Sequence, residues 1–217
     1  MKCWNLSRLA LVVTCVISPA LVWADLAPEV AALRQTWDNV NFTMKKDDQV
    51  KPLEALIEKA AAFNAAHQGN ADGLIWEGII HATYAGAKGG LGALGECKQA
   101  KALFEQAISI DPHAQQGAAY TSLGSLYYQV PSWPIAFGDN NKAREYLLKG
   151  LELNPDGIDA NYFYGDFLFK TGDLSGAEKS LKKALQAPPR PGREGADEGR
   201  KKEINELLKK ISDKKNK

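Results

Sequence analysis

Three histidines, a glycine-rich hexapeptide and two closely spaced arginines are the residues whose types could do chemistry in this chain. His67, His81 and His113 stand apart from one another. None belongs to a His-Glu-x-x-His helix face or a Cys-x-x-Cys pair, the spacings that bring ligands together on one metal ion. Gly90-Leu91-Gly92-Ala93-Leu94-Gly95 spells the G-x-G-x-x-G dinucleotide fingerprint. That motif works between a strand and a helix N-terminus, where its glycines let backbone amides approach a pyrophosphate. Helical patterning precedes it here, so a helix-to-helix connection is expected, and Lys88 lacks the Gly-Lys-Ser/Thr setting of a phosphate loop. No G-x-S-x-G elbow occurs, and Ser122 and Ser125 sit within a helical pattern. Without a spaced acid, base and nucleophile, the expectation is a chain that is not an enzyme. It is assigned no catalytic, cofactor-binding or metal-ligating residue. It should work by binding.

Residues suited to binding fall in three places. Pro131-Ser132-Trp133-Pro134-Ile135-Ala136-Phe137-Gly138-Asp139 carries two prolines, a glycine and two large aromatics between helical patterns. Trp133 and Phe137 could plug the fold's own groove while Asp139 caps the next helix. Alternatively, with Ile135, they form an apolar contact for a ligand or partner. Tyr128 and Asn161 are the helix residues best placed to face a groove; Tyr120 and Tyr127 occupy packing positions. Arg190 and Arg193 flank Pro191-Gly192. A stiff, extended proline backbone could hold both guanidinium groups outward to grip a carboxylate or an acidic patch. The competing reading is a linker whose arginines pair with acids of the same chain, such as Asp156 or Asp166.

Composition narrows the setting. Residues 1–24 read as a cleaved signal peptide: Lys2 and Arg8 are basic, Leu9 to Ile17 is a short apolar run, and Val22-Trp23-Ala24 is a small-residue site. Cys15 follows Thr14 and is trailed by further apolar residues to Trp23, which favours cleavage over lipid attachment. Removing that segment leaves Cys97 as the one thiol, so packing must supply stability. It also leaves 25 basic against 26 acidic residues, a balance that argues against a nucleic-acid partner. No later stretch approaches the roughly 20 apolar residues of a membrane helix. A periplasmic, exported protein is the expectation, with no transmembrane helix in the mature chain.

The elements that must position these residues show themselves as repeats. Gly165, Ala177, Leu181, Ala184 and Pro189 have the tetratricopeptide spacing: a small residue on helix A, then Ala, a large apolar, Ala and a terminating Pro on helix B. Ala143, Leu147, Gly150 and Pro155 repeat the helix B phrase, and Ala100, Phe104, Ala107 and Pro112 repeat it again. Small residues let paired helices nest, and the large one fills the groove between them. The fold class expected is all-α: a tetratricopeptide-repeat helical solenoid of three to four degenerate repeats with a C-terminal capping helix. Residues 25–217 form one domain, with repeats near 28–68, 72–112, 117–155 and 158–189 and a cap at 197–211. Ile204, Leu207, Leu208 and Ile211 give that cap one apolar face.

On these residues the stretch from Tyr120 to Ile211 resembles a known family. The matching segments are Tyr120-Thr121-Ser122-Leu123-Gly124-Ser125-Leu126-Tyr127-Tyr128, Val130-Pro131-Ser132-Trp133-Pro134-Ile135 with Phe137-Gly138-Asp139, Asn154-Pro155-Asp156-Gly157-Ile158, Asn161-Tyr162-Phe163-Tyr164-Gly165, and Ala187-Pro188-Pro189-Arg190-Pro191-Gly192-Arg193. They are similar to the periplasmic tetratricopeptide T components (TatT) of TRAP-type solute transporters. The resemblance implies a periplasmic binding or adaptor protein that self-associates and serves a solute-binding protein or transporter subunit. A small apolar or carboxylated ligand and a homo-oligomer are part of that expectation. The alternative from a different class is a cell-envelope assembly scaffold that binds a peptide or helix.

Overall fold

Local chemistry sets where the helices begin and end in the computed structural model, which describes residues 27–90 and 92–216. The proposed signal segment, with Cys3 and Cys15, lies outside the described residues, as does Leu91. Pro28, whose missing N–H costs nothing in a first turn, opens α1 (Pro28–Thr43). Asn70 accepts from the Gly73 amide at 2.8 Å and starts α3 (Ala71–Lys88), which follows α2 (Val50–Ala66). Helix α4 spans Ala93–Ile110 and α5 Ala118–Gln129. Asp139 caps α6 (Asn140–Leu153), and Asp173 caps α8 (Leu174–Ala184) through the Gly176 amide at 2.8 Å. Between them α7 (Ile158–Thr171) ends on Gly172 at φ +93°, and α9 (Glu194–Lys215) closes the described chain. No strand occurs among the described residues; Ser132 and Gly138 form an isolated bridge.

Among the described residues the helices pack in sequential order, α1 on α2, α3 on α4, α5 on α6 and α7 on α8. Three of these pairs share one device. A Cβ built on Gly78 of α3 would meet the Phe104 ring of α4 at 2.6 Å; one on Gly124 of α5 would meet Leu147 of α6 at 2.8 Å; one on Gly165 of α7 would meet Leu181 of α8 at 2.8 Å. Each glycine is therefore the socket for the large residue of its partner helix. Phe104 and Leu181 are fully buried and Leu147 very nearly so, and Ala100, Ala143 and Ala177 one turn earlier are completely out of water. Burying each large side chain is worth about 1.5–3 kcal/mol, which the close helix approach makes available. The observed architecture is an all-α tetratricopeptide-repeat solenoid.

The ends of the solenoid meet. Helix α9 packs on α7 and α8 and also reaches α1. Ile204, Leu207 and Ile211 join the core shared with α7 and α8, while Gly199 lies so close to Phe42 of α1 that a Cβ there would strike the ring. A second core gathers Val30, Leu33, Trp37 and Val40 of α1 with Leu53, Leu56 and Phe63 of α2 and Trp76 and Ile80 of α3. Trp37 donates its indole N–H to Thr83 Oγ1 at 2.8 Å and meets Trp76 edge-on at 5.6 Å. The last helix is thus more than a cap with a polar outer face: it joins the final repeat to the first.

Candidate functional site

The loop between α5 and α6 is held by its own backbone. The Asp139 amide donates to Tyr127 O at 2.9 Å, Gly138 N to Pro131 O at 2.9 Å, and Ile135 N to Ser132 O at 3.1 Å. Gly138 is required by close approach, since a Cβ there would collide with the carbonyl oxygens of Val130 and Pro131. Within this frame the two aromatics part company. Phe137 is half-buried, edge-on to Tyr127 at 5.6 Å, and Tyr127 in turn stacks on Tyr146 at 5.6 Å. Trp133 points the other way and is 86% exposed, with Ile135 at 66%. Phe137 and Asp139 do what a plug and a cap do. Trp133 and Ile135 do not. Most apolar side chains of this size are at least half-buried, so an ordered loop that presents an indole and an Ile side chain to solvent has the form of a docking tip.

The remaining residues singled out from sequence are engaged within the chain. Tyr128 is half-buried, and its hydroxyl donates to Asp166 Oδ2 at 2.7 Å. Burial, followed by the Asp166 carboxylate, pushes that phenol well above its ordinary range, so it stays a neutral donor. Asn161 is 3% exposed and donates to the carbonyls of Pro155 and Gly157, both at 2.9 Å. This corrects the expectation that it faces a groove: its amide ties the start of α7 to the preceding turn. Arg190 and Arg193 are not held outward. Arg190 donates through Nε to Asp197 and through Nη1 to Asp159, each at 2.6 Å. Arg193 forks onto Asp38 of α1, with Nη2 at 2.5 Å and Nε at 3.0 Å, and its guanidinium lies 5.5 Å from the Trp76 ring. The acids are not Asp156 and Asp166, which pair with Lys183 and Lys170.

These pairs belong to a buried network where α9 crosses from α7 to α1. Arg200, 6% exposed, donates to Asp159 Oδ1 at 2.8 Å and to Glu203 at 2.6 Å. Its guanidinium lies 4.4 Å from the Tyr162 ring, 5.0 Å from Phe163 and 5.4 Å from Phe42, a cation held by three aromatic faces. Burial alone would raise the Asp159 carboxyl, but Arg200, Arg190 and Arg193 overcome it and hold it well below the usual carboxylate range. Burial pushes the Tyr162 phenol up to about 12. A carboxylate whose pKa is depressed on folding contributes stability above its unfolded value of about 3.9, lost as pH falls further. Denaturant titrations are therefore expected to show stability falling below about pH 4, with a shallower fall for Asp159→Asn. An equal fall in both proteins would contradict this account of the network.

His81 has Nδ1 2.7 Å from Glu96 and Nε2 3.9 Å from Glu77, a pairing that joins α3 to α4. Among the described residues no group of three or more metal-ligating side chains converges, and no helix is long and apolar enough to cross a membrane. The glycine-rich hexapeptide follows α3, and its last three residues, Ala93 to Gly95, already form the first turn of α4. Sequence reasoning passed over Arg34 and Asp38 of α1, and nothing in their neighbourhood along the chain announces that α9 will reach them.

A family model described as tetratricopeptide repeat matches residues 135–193. The crystal structure of a thermophilic TPR protein from Thermus thermophilus superposes with a TM-score of 0.57 at 14% identity, over 84% of this chain and 90% of that one. MamA residues 41 to the end from Desulfovibrio magneticus superpose more loosely, with a TM-score of 0.45 at 14% identity over 87% of this chain and 96% of that one. No curated protein sequence matches the chain. With helix pairs nested on glycines, the repeat match over residues 135–193 and the Thermus superposition, the fold of the described residues is that of a tetratricopeptide-repeat helical solenoid.

Proposed function

We propose that this protein is an exported, periplasmic adaptor that captures a protein partner on the Trp133–Ile135 tip and serves a TRAP-type solute uptake system. The fold implies protein partners, and its members are generally interaction modules without catalysis. One observation carries the choice of surface. Trp133, at 86% exposure, stands on a loop fixed by backbone hydrogen bonds rather than on a loose segment. Helix α9 and the ion pairs of Arg190, Arg193 and Arg200 cover part of α7 and α1 instead. The periplasmic setting and the transport link rest on the signal-like segment and the sequence resemblance.

The test is capture of periplasmic proteins by the purified chain and by Trp133→Ala. A central aromatic anchor is worth about 2 kcal/mol or more, so binding should weaken roughly 30-fold or more. Because Trp133 packs on so little of its own chain, the melting temperature should move by no more than about 2 °C. Recovery of a solute-binding protein, lost with Trp133→Ala, supports the proposal. Recovery of envelope-assembly machinery alone would move the protein to the scaffold class, and undiminished capture by the variant would remove the loop from the account.

A further inference from the structure

We infer that the outer face shared by α8 and the last turns of α9 docks the protein on the surface of an anionic phospholipid bilayer. Packing assembles this face. Helix α9 lies on α8, so Lys179, Lys182 and Lys183 of α8 come alongside Lys209, Lys210, Lys214 and Lys215 of α9. All seven are exposed. The same two stretches, Leu174–Ala184 and 207–216, hold Glu178 and Asp213 as their only acids. They thus carry seven of the 25 basic and two of the 26 acidic residues of positions 25–217, a local excess in a chain whose remainder is acidic.

Two contacts fix the geometry. Lys182 Nζ and Lys215 Nζ close on the two oxygens of one carboxylate, Glu178, at 2.6 and 2.5 Å. Lys214 Nζ lies 4.5 Å from the centre of the Phe169 ring of α7. The end of α9 is therefore held down on the solenoid, and its lysines form one surface with those of α8. Glu178 answers two ammonium groups with a single charge. Hydrogen bonds from Lys182 and then Lys215 pull its carboxyl down to about 2.

Residue type selects the occupant. The arginines of this part of the chain, Arg190, Arg193 and Arg200, are committed to carboxylates within the fold, and the patch is lysine alone. Lysine is depleted from protein–protein interfaces, which favour arginine and aromatic anchors. Among the described residues the exposed large apolar side chains, Ile110, Trp133, Ile135 and Leu148, lie on other elements. Neither α8 nor α9 carries an aromatic residue. A protein partner would find no anchor here, and single-stranded nucleic acid no ring to stack on. A fluid sheet of phosphate headgroups needs neither, because point charges on flexible stems can follow lipids that move. Each basic residue held near such a surface strengthens binding roughly fivefold.

The experiment is co-sedimentation of the protein, purified from cells that export it, with two kinds of vesicle: phosphatidylcholine alone, or phosphatidylcholine mixed equally with phosphatidylglycerol. Binding to the mixed vesicles is expected to be roughly tenfold tighter or more, and to fall roughly tenfold or more as salt rises from about 50 mM to about 500 mM. Combining Lys179→Gln, Lys183→Gln, Lys209→Gln and Lys210→Gln should weaken it roughly 100-fold or more. Because all four are exposed, the melting temperature should stay within about 2 °C of wild type. The same change of charge in the first repeat, by Lys45→Gln, Lys46→Gln, Lys51→Gln and Lys59→Gln, should weaken binding no more than about threefold. Equal weakening by the two sets would reduce the effect to net charge and overturn the inference. So would equal binding to both kinds of vesicle, or tighter binding to polyglutamate or duplex DNA than to the mixed vesicles. Loss of vesicle binding by Trp133→Ala would place the membrane contact on the loop tip and overturn it as well. Retention, the expected result, leaves tip and patch as separate surfaces, either of which can fail alone.

Discussion

Replacing Arg200 by methionine is expected to cost roughly 3–5 kcal/mol, the penalty for removing one partner from a buried charge network. For a chain of this size that corresponds to a fall of roughly 6–20 °C in melting temperature. Arg200 connects three elements at once: Asp159 and the Tyr162 and Phe163 rings of α7, Phe42 of α1, and Glu203 on its own helix. Methionine can refill much of the volume and keep contact with the rings, but it leaves Glu203 without its 2.6 Å partner and Asp159 with Arg190 alone. The loss should therefore exceed that of a surface pair such as Lys149–Glu152, where both partners are largely exposed and the expected cost is below about 1 kcal/mol. Amide hydrogen exchange would show where the damage falls. Protection should drop first in the N-terminal half of α9 and in α1 near Phe42, and hold in α5 and α6. Uniform loss across all helices would mean that Arg200 does not act as the clasp between the two ends.

Phe104→Ala is the second large effect, roughly 3–5 kcal/mol for emptying a fully buried aromatic site. The residue facing the emptied space is Gly78, which has no side chain to fill it. The reciprocal change makes the argument sharper. Gly78→Ala places a methyl 2.6 Å from the Phe104 ring and should cost about 1–3 kcal/mol through overpacking, despite the better helix propensity of Ala. Combining Gly78→Ala with Phe104→Leu should cost less than the two single changes added together, since each relieves the other. Simple additivity in denaturant titrations would show that the two residues do not form one packing unit.

Most of the solenoid was legible because nesting depends on small residues, and small residues leave a mark at fixed spacing. Gly165, Ala177, Leu181 and Ala184 show the whole device in twenty residues, and the structure seats Leu181 over Gly165 as that spacing requires. Gly78 went unremarked for the converse reason. The glycine-rich connection lengthens the distance to Phe104, so the socket and its plug no longer stand at the usual separation.

The candidate site was legible only in part. Trp133 and Phe137 are two apolar aromatics in one short loop, and residue type alone gives both the same fate. The backbone bonds of Gly138 and Asp139 decide it, turning Phe137 toward Tyr127 and leaving Trp133 in water. Asn161 misled because a polar residue in an early helical turn can face solvent or fold back on the preceding turn, and here it folds back. Arg193 and Asp38 are 155 residues apart. Their meeting follows from the path of α9, which packs on both α7 and α1, and a contact between elements so far apart along the chain has no local signature.

The docking claim is tested most directly by replacing Trp133 with a photo-crosslinking amino acid and irradiating cells that export the protein. Lys179, on the surface of α8, serves as the reference position. The account expects one protein adduct from position 133 that position 179 does not give, and expects it to be a solute-binding protein. No protein adduct at 133, or the same adducts from both positions, would contradict it.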